Sequence, residues 1–384
     1  MAKRIRRIAI GVDLEPLYKH HTAVTWGILK YAESQGWECS LEPFIDTNLD
    51  LRKFDGLIAR VTASAARCIR RTGIPAVNVW VNSPDKSIPR VEPDQHAVGR
   101  LAASHLLERG YRRFGYLGQV RNKNCDYHLE GMRQVLSRGK LPLFKHFVAQ
   151  LPRDTRAWSR LQNSLRKWVD SWRLPIGVFV VQDLVCRYLA NVIVEKGLRI
   201  PEDVALVGCG DEELLCEGVR PSMTSVAQAN ERIGVRAAEL LARMMEGEAQ
   251  PKAPIRIRPV GLVMRRSTEA FVAADPLLSL ALRYIEEHCQ QPLGVDDVVD
   301  QVPLSRRSLE RRFRDALGWS IHDQIARARI AFAKRLLVDP ERPLKAVALE
   351  AGFSNSKHFF RVFQQFEGLS PNAYRSEMLP DSPE

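Results

Sequence analysis

The chain has 384 residues and an ordinary apolar content, enough for two or three domains, and no apolar run in it is long enough to span a bilayer as a helix. Its seven cysteines are scattered, odd in number and without CxxC spacing, which argues for reduced structural thiols and against a disulfide framework or a zinc site. The net charge of +12 looks like a nucleic-acid signal, yet residues 275–384 hold 15 Lys+Arg against 16 Asp+Glu; the excess lies in residues 1–274 and reads as solvated surface.

The start, MAKRIRRIAIGVDLEP, is basic but then offers only a short strand, too short for a secretory core and without a cleavage site, so a cytoplasmic protein is expected. From there strands and helices alternate: IRRIAIGV a strand, Thr22–Gln35 a helix, WECSLEPF a strand. Asp55–Val61 follows as a strand, SAARCIRR as a helix, Ala76–Trp80 as a strand, His96–Arg109 as an amphipathic helix and FGYLG as a strand. The alternation resumes with a helix near His128–Ser137, strands at Phe144–Gln150 and Ile176–Val181, a helix at Asp183–Lys196, the strand ALVGCG and a helix at Ile233–Glu246. Alternating β and α implies parallel sheets covered by helices, and the length suggests two lobes. Ligands in such folds bind outside the carboxyl ends of strands. Asp183, just past IGVFVV, is therefore a candidate ligand carboxylate or a helix-capping residue. Trp80, also at a strand end, either lies against an apolar ligand face or belongs to the core; Trp26 reads as core. His20-His21 reads as a pair of hydrogen bonders rather than a metal site.

VEPDQHAVGRLAASHLLERGYRRFGYLG, GLRIPEDVALVG, PSMTSVAQANERIGVRAAELLARMMEG and MRRST resemble the ligand-binding core of LacI/GalR regulators and periplasmic sugar-binding proteins. The resemblance implies a two-lobed α/β domain of the type I periplasmic-binding-protein kind over residues 5–266, with a small saccharide in its cleft. It also exposes two departures. Gly210 stands where the family has a ligand-binding Asp, with Asp211 one residue later. His128 stands where it has a ligand-binding Arg. The expected ligand contacts are thus Asp183, Asp211, His128 and Trp80, in a pocket that is altered or has lost its ligand.

After a short linker expected at 267–275, the pattern becomes purely helical. Val295, Val298, Val299 and Val302 line one helix face; Ser305 then caps a second helix, SRRSLERRF, with Leu309 and Phe313 turned inward. Ile321–Val338 reads as one long helix of roughly 27 Å. The first pattern then returns: Leu344, Val347, Ala348 and Ala351 on one face, Gly352 at a turn, Phe353 over the corner, and Phe359, Phe363 and Phe366 along a second helix. The offset is 49 in the first helices and 50 in the second, so that Arg307 matches Lys357 and Arg311 matches Arg361. Helix, turn and second helix with outward cations is a shape that enters the DNA major groove, and the long helix would hold two such readers about one DNA turn, roughly 34 Å, apart.

Residues 276–376, above all GFSNSKHFFRVFQQFEGLSPNAYR, resemble the AraC/XylS class of double helix-turn-helix regulators, with motifs at 295–317 and 344–366. By position the resemblance implies DNA contacts from Arg306, Arg307, Glu310 and Arg311 in the first reader and from Ser356, Lys357 and Arg361 in the second. His358 reads as a phosphate contact or as an ordinary surface histidine. Pro303 stands where the family has the glycine of the first turn; proline cannot take positive φ, so a shifted first turn is expected.

Together the two resemblances imply a regulator of a carbohydrate operon of the xylose kind. Its expected partners are a double-stranded DNA operator, a small saccharide effector, a second copy of the chain and, if it activates, RNA polymerase. No cofactor, metal or membrane is expected. A repressor and a ligand-independent regulator with a vestigial cleft stay open. An enzyme is the rival from another class, although GxSxG, Walker and metal-cluster motifs are missing. A transport-type binding protein would need an export signal.

Overall fold

The computed structural model describes residues 5–12, 19–137, 140–148, 152, 154–218, 220–269, 275–337, 339 and 341–378. It divides into two compact units, one made of residues 1–98, 121–128 and 227–260, the other of 99–120, 129–226 and 261–384.

The first unit is built on β1 (Arg7–Gly11), β2 (Glu38–Leu41), β3 (Gly56–Ala59) and β4 (Ala76–Asn78), in the order β2-β1-β3-β4 and parallel throughout. A separate parallel pair joins β5 (Val91–Pro93) to β11 (Ile255–Ile257). β3 is buried at all four positions, as expected of a central parallel strand covered on both faces. One covering layer is α1 (Lys19–Gln35) against α8 (Asn230–Met245), which meet backbone to backbone at Gly27 and Gly234. Val24 and Ile28 of α1 and Ile233, Ala237 and Leu241 of α8 complete the layer's core with Ile8 and Ile58. Trp26 is not core: it stands 64% exposed on α1, because the helix buries its glycine face instead. On the other side α2 (Ala63–Thr72), capped by Thr62 and ended by Gly73 at positive φ, packs Ala65 and Ile69 on the sheet.

The second unit begins with an α/β lobe. α3 (Gln95–Glu108), whose first turn lies in the first unit, leads to β6 (Phe114–Gln119). α4 (Lys123–Leu136), whose first part through His128 lies in the first unit, β7 (Leu143–Val148), α5 (Thr155–Asp170), β8 (Ile176–Val180) and α6 (Asp183–Glu195) follow. β9 (Val204–Cys209), α7 (Glu213–Glu217), β10 (Thr224–Ala227) and β12 (Gly261–Val263) complete it. The sheet order is β12-β10-β9-β8-β6-β7. β8 and β9 are buried at every position. α5 was not expected from the sequence; it is an amphipathic helix capped by Asp154 and anchored by Leu161, Leu165, Trp168 and Val169. The strand expected at Phe144–Gln150 ends at Val148, and Gln150 lies outside the described residues.

The linker expectation needs correction at its start. Ser267 and Thr268 are fully buried in this lobe: the Ser267 hydroxyl donates to the Leu206 carbonyl at 2.6 Å and accepts from the Thr224 amide at 2.9 Å. Residues 270–274 lie outside the described residues, and Asp275 already caps the next helix by accepting from the Leu277 amide at 3.1 Å.

That helix, α9 (Pro276–His288), opens the helical part of the second unit. It is followed by α10 (Val295–Val299), α11 (Arg306–Leu317), α12 (Ile321–Leu336), α13 (Leu344–Glu350), α14 (Ser356–Glu367) and α15 (Pro371–Met378). Two small cores sit side by side. Leu278, Leu282 and Ile285 of α9 meet Val298, Leu309 and Phe313 in one; Val347, Ala348, Phe359, Phe363 and Tyr374 form the other. α12 belongs to both, giving Ile321 and Ile325 to the first and Ala326, Ile330 and Ala333 to the second. It is 16 residues long rather than the expected 18, about 24 Å.

Candidate DNA-reading faces and effector site

The two readers are built alike. Ser305 accepts from the Ser308 amide at 3.3 Å and starts α11; Asn355 accepts from the His358 amide at 2.8 Å and starts α14. Each helix runs 12 residues and stops at a glycine in the left-handed region, Gly318 with φ 85° and Gly368 with φ 75°. Each is followed by a serine that caps the next helix: Ser320 accepts from the Asp323 amide at 3.1 Å, and Ser370 from the Ala373 amide at 3.1 Å. Local caps thus set the length and direction of both second helices.

Burial fixes which way those helices face. Leu309, Phe313 and Leu317 go inward on α11, and Phe359, Val362 and Phe363 on α14. Arg306, Arg307 and Arg311 are then exposed, as are Lys357 and Arg361, while Glu310 and Ser356 are half-buried. Arg306 pairs with Asp296 at 2.9 Å. Among the described residues Arg307, Arg311, Lys357 and Arg361 have no ion-pair partner, and each reader presents two cations four residues apart, one helical turn. His358 is half-buried, its ring edge-on to Phe353 at 5.7 Å, and burial pushes its pKa down.

The turns differ, in the place Pro303 led one to expect. The second turn takes Gly352 at φ 80°, with Phe353 donating to the Ala348 carbonyl at 3.0 Å. In the first, no described residue between Val299 and Ser305 has positive φ. The chain closes instead through Gln301 to the Val298 carbonyl at 3.3 Å and Val302 to the Val299 carbonyl at 3.2 Å. These are tight, 3₁₀-type bonds; α10 is accordingly 5 residues long against 7 in α13.

Of the four expected effector contacts, Asp183 and Asp211 lie in the second unit. Asp183 is not the helix cap, since Gln182 holds that position. As the first residue of α6 it turns back toward β9 and β10, 1% exposed. One carboxylate oxygen accepts from the Ser225 hydroxyl at 2.7 Å and the other from the Glu212 amide at 2.9 Å. Burial raises its pKa, and those two hydrogen bonds oppose the rise. A side chain on Gly210 would start 3.2 Å from the same carboxylate, and Gly210 has φ 124°. Asp211 follows at φ 55°, a strained setting for a residue with a side chain. It is paired with Arg265 at 2.8 Å, which also holds Glu217 at 2.9 Å. Ser225 and Arg265 stand in the motifs PSMTSVAQ and MRRST, but sequence spacing did not single them out.

His128 and Trp80 lie in the first unit. His128 is 1% exposed and donates from Nε2 to Gln95 Oε1 at 2.7 Å; burial, with His96 nearby, takes its pKa down to about 3. It is a neutral hydrogen-bonding group where an arginine would bring fixed charge. Trp80 is half-buried, its backbone held by Asn78, and the Arg60 guanidinium lies over its ring at 4.9 Å.

Comparison with known proteins agrees with both halves. A family model described as a periplasmic binding protein-like domain matches residues 103–268, and one described as a helix-turn-helix domain matches residues 298–377. The xylose operon regulatory protein of Escherichia coli (strain K12) is 27% identical over 98% of each chain. That of Haemophilus influenzae is 25% identical over 98% of this chain and 99% of its own. The solved structure of the xylose-binding transcription activator xylR superposes with a TM-score of 0.60 at 25% identity, covering 98% of this chain and 99% of that one. No helix among the described residues is long and apolar enough to cross a membrane. The chain thus carries a periplasmic binding protein-like domain ahead of a helix-turn-helix domain and is similar along nearly its whole length to the xylose operon regulatory proteins.

Proposed function

We propose that this regulator reads two successive major-groove segments of a carbohydrate operator and is controlled by a small xylose-like saccharide. The observation that carries the reading is the matched exposure of Arg307 and Arg311 on α11 and of Lys357 and Arg361 on α14, two helices fixed to one strut. Arginine bonds guanine in a bidentate fork and Glu310 can accept from cytosine N4; Ser356 and Arg306 reach phosphate or base edges. The similarity along the whole chain to xylose operon regulators supports the saccharide. Asp183, Asp211, His128 and Trp80 are its contacts in this reading. The protein works as a cytoplasmic homodimer and activates, recruiting RNA polymerase.

A ligand-independent regulator is the second reading, favoured by Gly210 and by the engagement of Asp211 with Arg265. Operator affinity measured with and without D-xylose separates the two. A change in affinity together with thermal stabilisation by the sugar supports the effector reading. No response to D-xylose or to other monosaccharides and their phosphates leaves the ligand-independent one. Turnover of any of these sugars would reopen an enzymatic role.

A further inference from the structure

Two adjacent residues at the end of α3, Glu108 and Arg109, carry opposite charges, and each meets its opposite on the reader. Arg109 grips both carboxylate oxygens of Glu286 on α9, at 2.9 and 2.6 Å. Glu108 accepts from Arg327 on α12 at 3.2 Å. Arg327 is itself stacked over Trp319 at 4.3 Å and over Phe366 at 5.0 Å, one ring from each reader. The Arg109 side chain is only 6% exposed, while that of Glu286 is 39% exposed; the bidentate geometry strengthens the pair, and its buried half is screened less than a fully exposed pair would be.

The same dock is tied to the Asp211 loop. Arg109 also contacts the sulfur of Met264. The next residue, Arg265, binds Asp211 at 2.8 Å, and Asp211 precedes Glu212, whose amide is held by Asp183 at 2.9 Å. His105, one turn before Arg109, bonds Thr268 at 2.8 Å. Residues 264–268 are thus held between the Asp211 loop and the end of α3, whose Glu108 and Arg109 in turn meet the reader.

We propose that this segment is a relay within one chain. A change at the Asp183–Asp211 loop moves Arg265 and Met264, shifts the crossed ion pairs of Glu108 and Arg109, and so biases the setting of the two readers. A route through the chain itself is added to whatever the dimer supplies. The inference rests on the regulatory reading above, and linkage requires it to act in both directions.

The test uses the full-length protein with Arg109→Glu, Glu286→Arg and both together. In amide hydrogen exchange without ligand, each single reversal raises exchange at 208–212 and 264–269, and the double reversal returns it to the parent's rate. A rise confined to the end of α3 and to α9, or a double reversal that behaves like the singles, overturns the relay. In a second arm, D-xylose is titrated against a DNA fragment selected by the parent from a random pool. The sugar changes parental affinity by about fivefold or more, each single reversal brings the ratio close to one, and the double restores it. If the sugar leaves the parent unmoved, the effector reading fails while the exchange arm still decides the relay.

Discussion

The backbone of Gly352 lies so close to the Cys289 carbonyl that a methyl group placed on it would come within 2.2 Å of that oxygen. Arg329 is drawn into the same corner, donating to the Cys289 carbonyl at 3.0 Å and to those of Gln291 and Leu293 at 3.1 Å. The turn of the second reader is therefore seated on the segment that follows α9. Gly352→Ala brings both that collision and a side chain at φ 80°. Its expected cost is about 2–4 kcal/mol, with weakened DNA binding. Gly318→Ala, also at positive φ but facing open space, is expected to cost only about 1 kcal/mol. Equilibrium denaturation of both variants checks the order; equal costs would count against the seat.

Gly27 and Gly234 make the corresponding prediction for the first unit. A methyl group on Gly27 would come within 1.9 Å of the Glu231 carbonyl oxygen, and one on Gly234 within 2.0 Å of the Val24 carbonyl oxygen. Either alanine variant should force α1 and α8 apart and lower stability by about 2–4 kcal/mol. Trp26→Ala, on the exposed face of α1, should change monomer stability by no more than about 0.5 kcal/mol. Thermal melts rank the three.

The buried His128 and the half-buried His20 and His105 set a pH dependence. Burial lowers the pKa of His20 to about 4 and of His128 to about 3, and pushes His105 well below its ordinary value. In the unfolded chain each titrates near the usual value of about 6.5. Between that value and the folded one, the unfolded state binds a proton that the native state does not. Stability then falls as pH falls, by about 1.4 kcal/mol per pH unit per histidine. The expected loss begins below about pH 6.5 and is absent above it. His128→Gln should flatten the slope in denaturation series between pH 5 and 7; an unchanged slope would show that His128 is protonated in the native state.

Asp183 holds two parts of the chain with one carboxylate. Asp183→Asn keeps the shape but replaces one acceptor by a donor facing the Ser225 hydroxyl or the Glu212 amide. The expected cost is about 1–3 kcal/mol, with loss of thermal stabilisation by D-xylose. A variant as stable and as responsive as the parent would remove Asp183 from both roles.

The reader half was legible because its determinants are local: the cap at Ser305, the turn at Gly352 and the inward apolar spacing act within single helices and their adjoining turns. Pro303 even foretold an altered first turn, since its fixed φ acts at its own position. The effector half was less legible. β5, β10, β11 and β12 have three or four residues each, too few for periodicity to register. α5 carries an amphipathic pattern, but most of its residues are polar and its buried positions are confined to Leu161 through Val169. The partnerships of Asp183 with Ser225 and of Asp211 with Arg265 join residues 42 and 54 apart, and only packing reveals them. Asp183 does follow the strand β8, but its internal bonds are not foreseeable from IGVFVV.

The central claim is that two helices on one strut read DNA together. A footprint of the full-length protein on its selected operator, repeated with Arg311→Ala and Arg361→Ala, tests it most directly. The account predicts two protected major-groove segments about one helical turn apart. Each substitution should weaken protection of a different segment and cost about 1–3 kcal/mol in affinity. Footprints of both variants that match the parent in extent and affinity would contradict it.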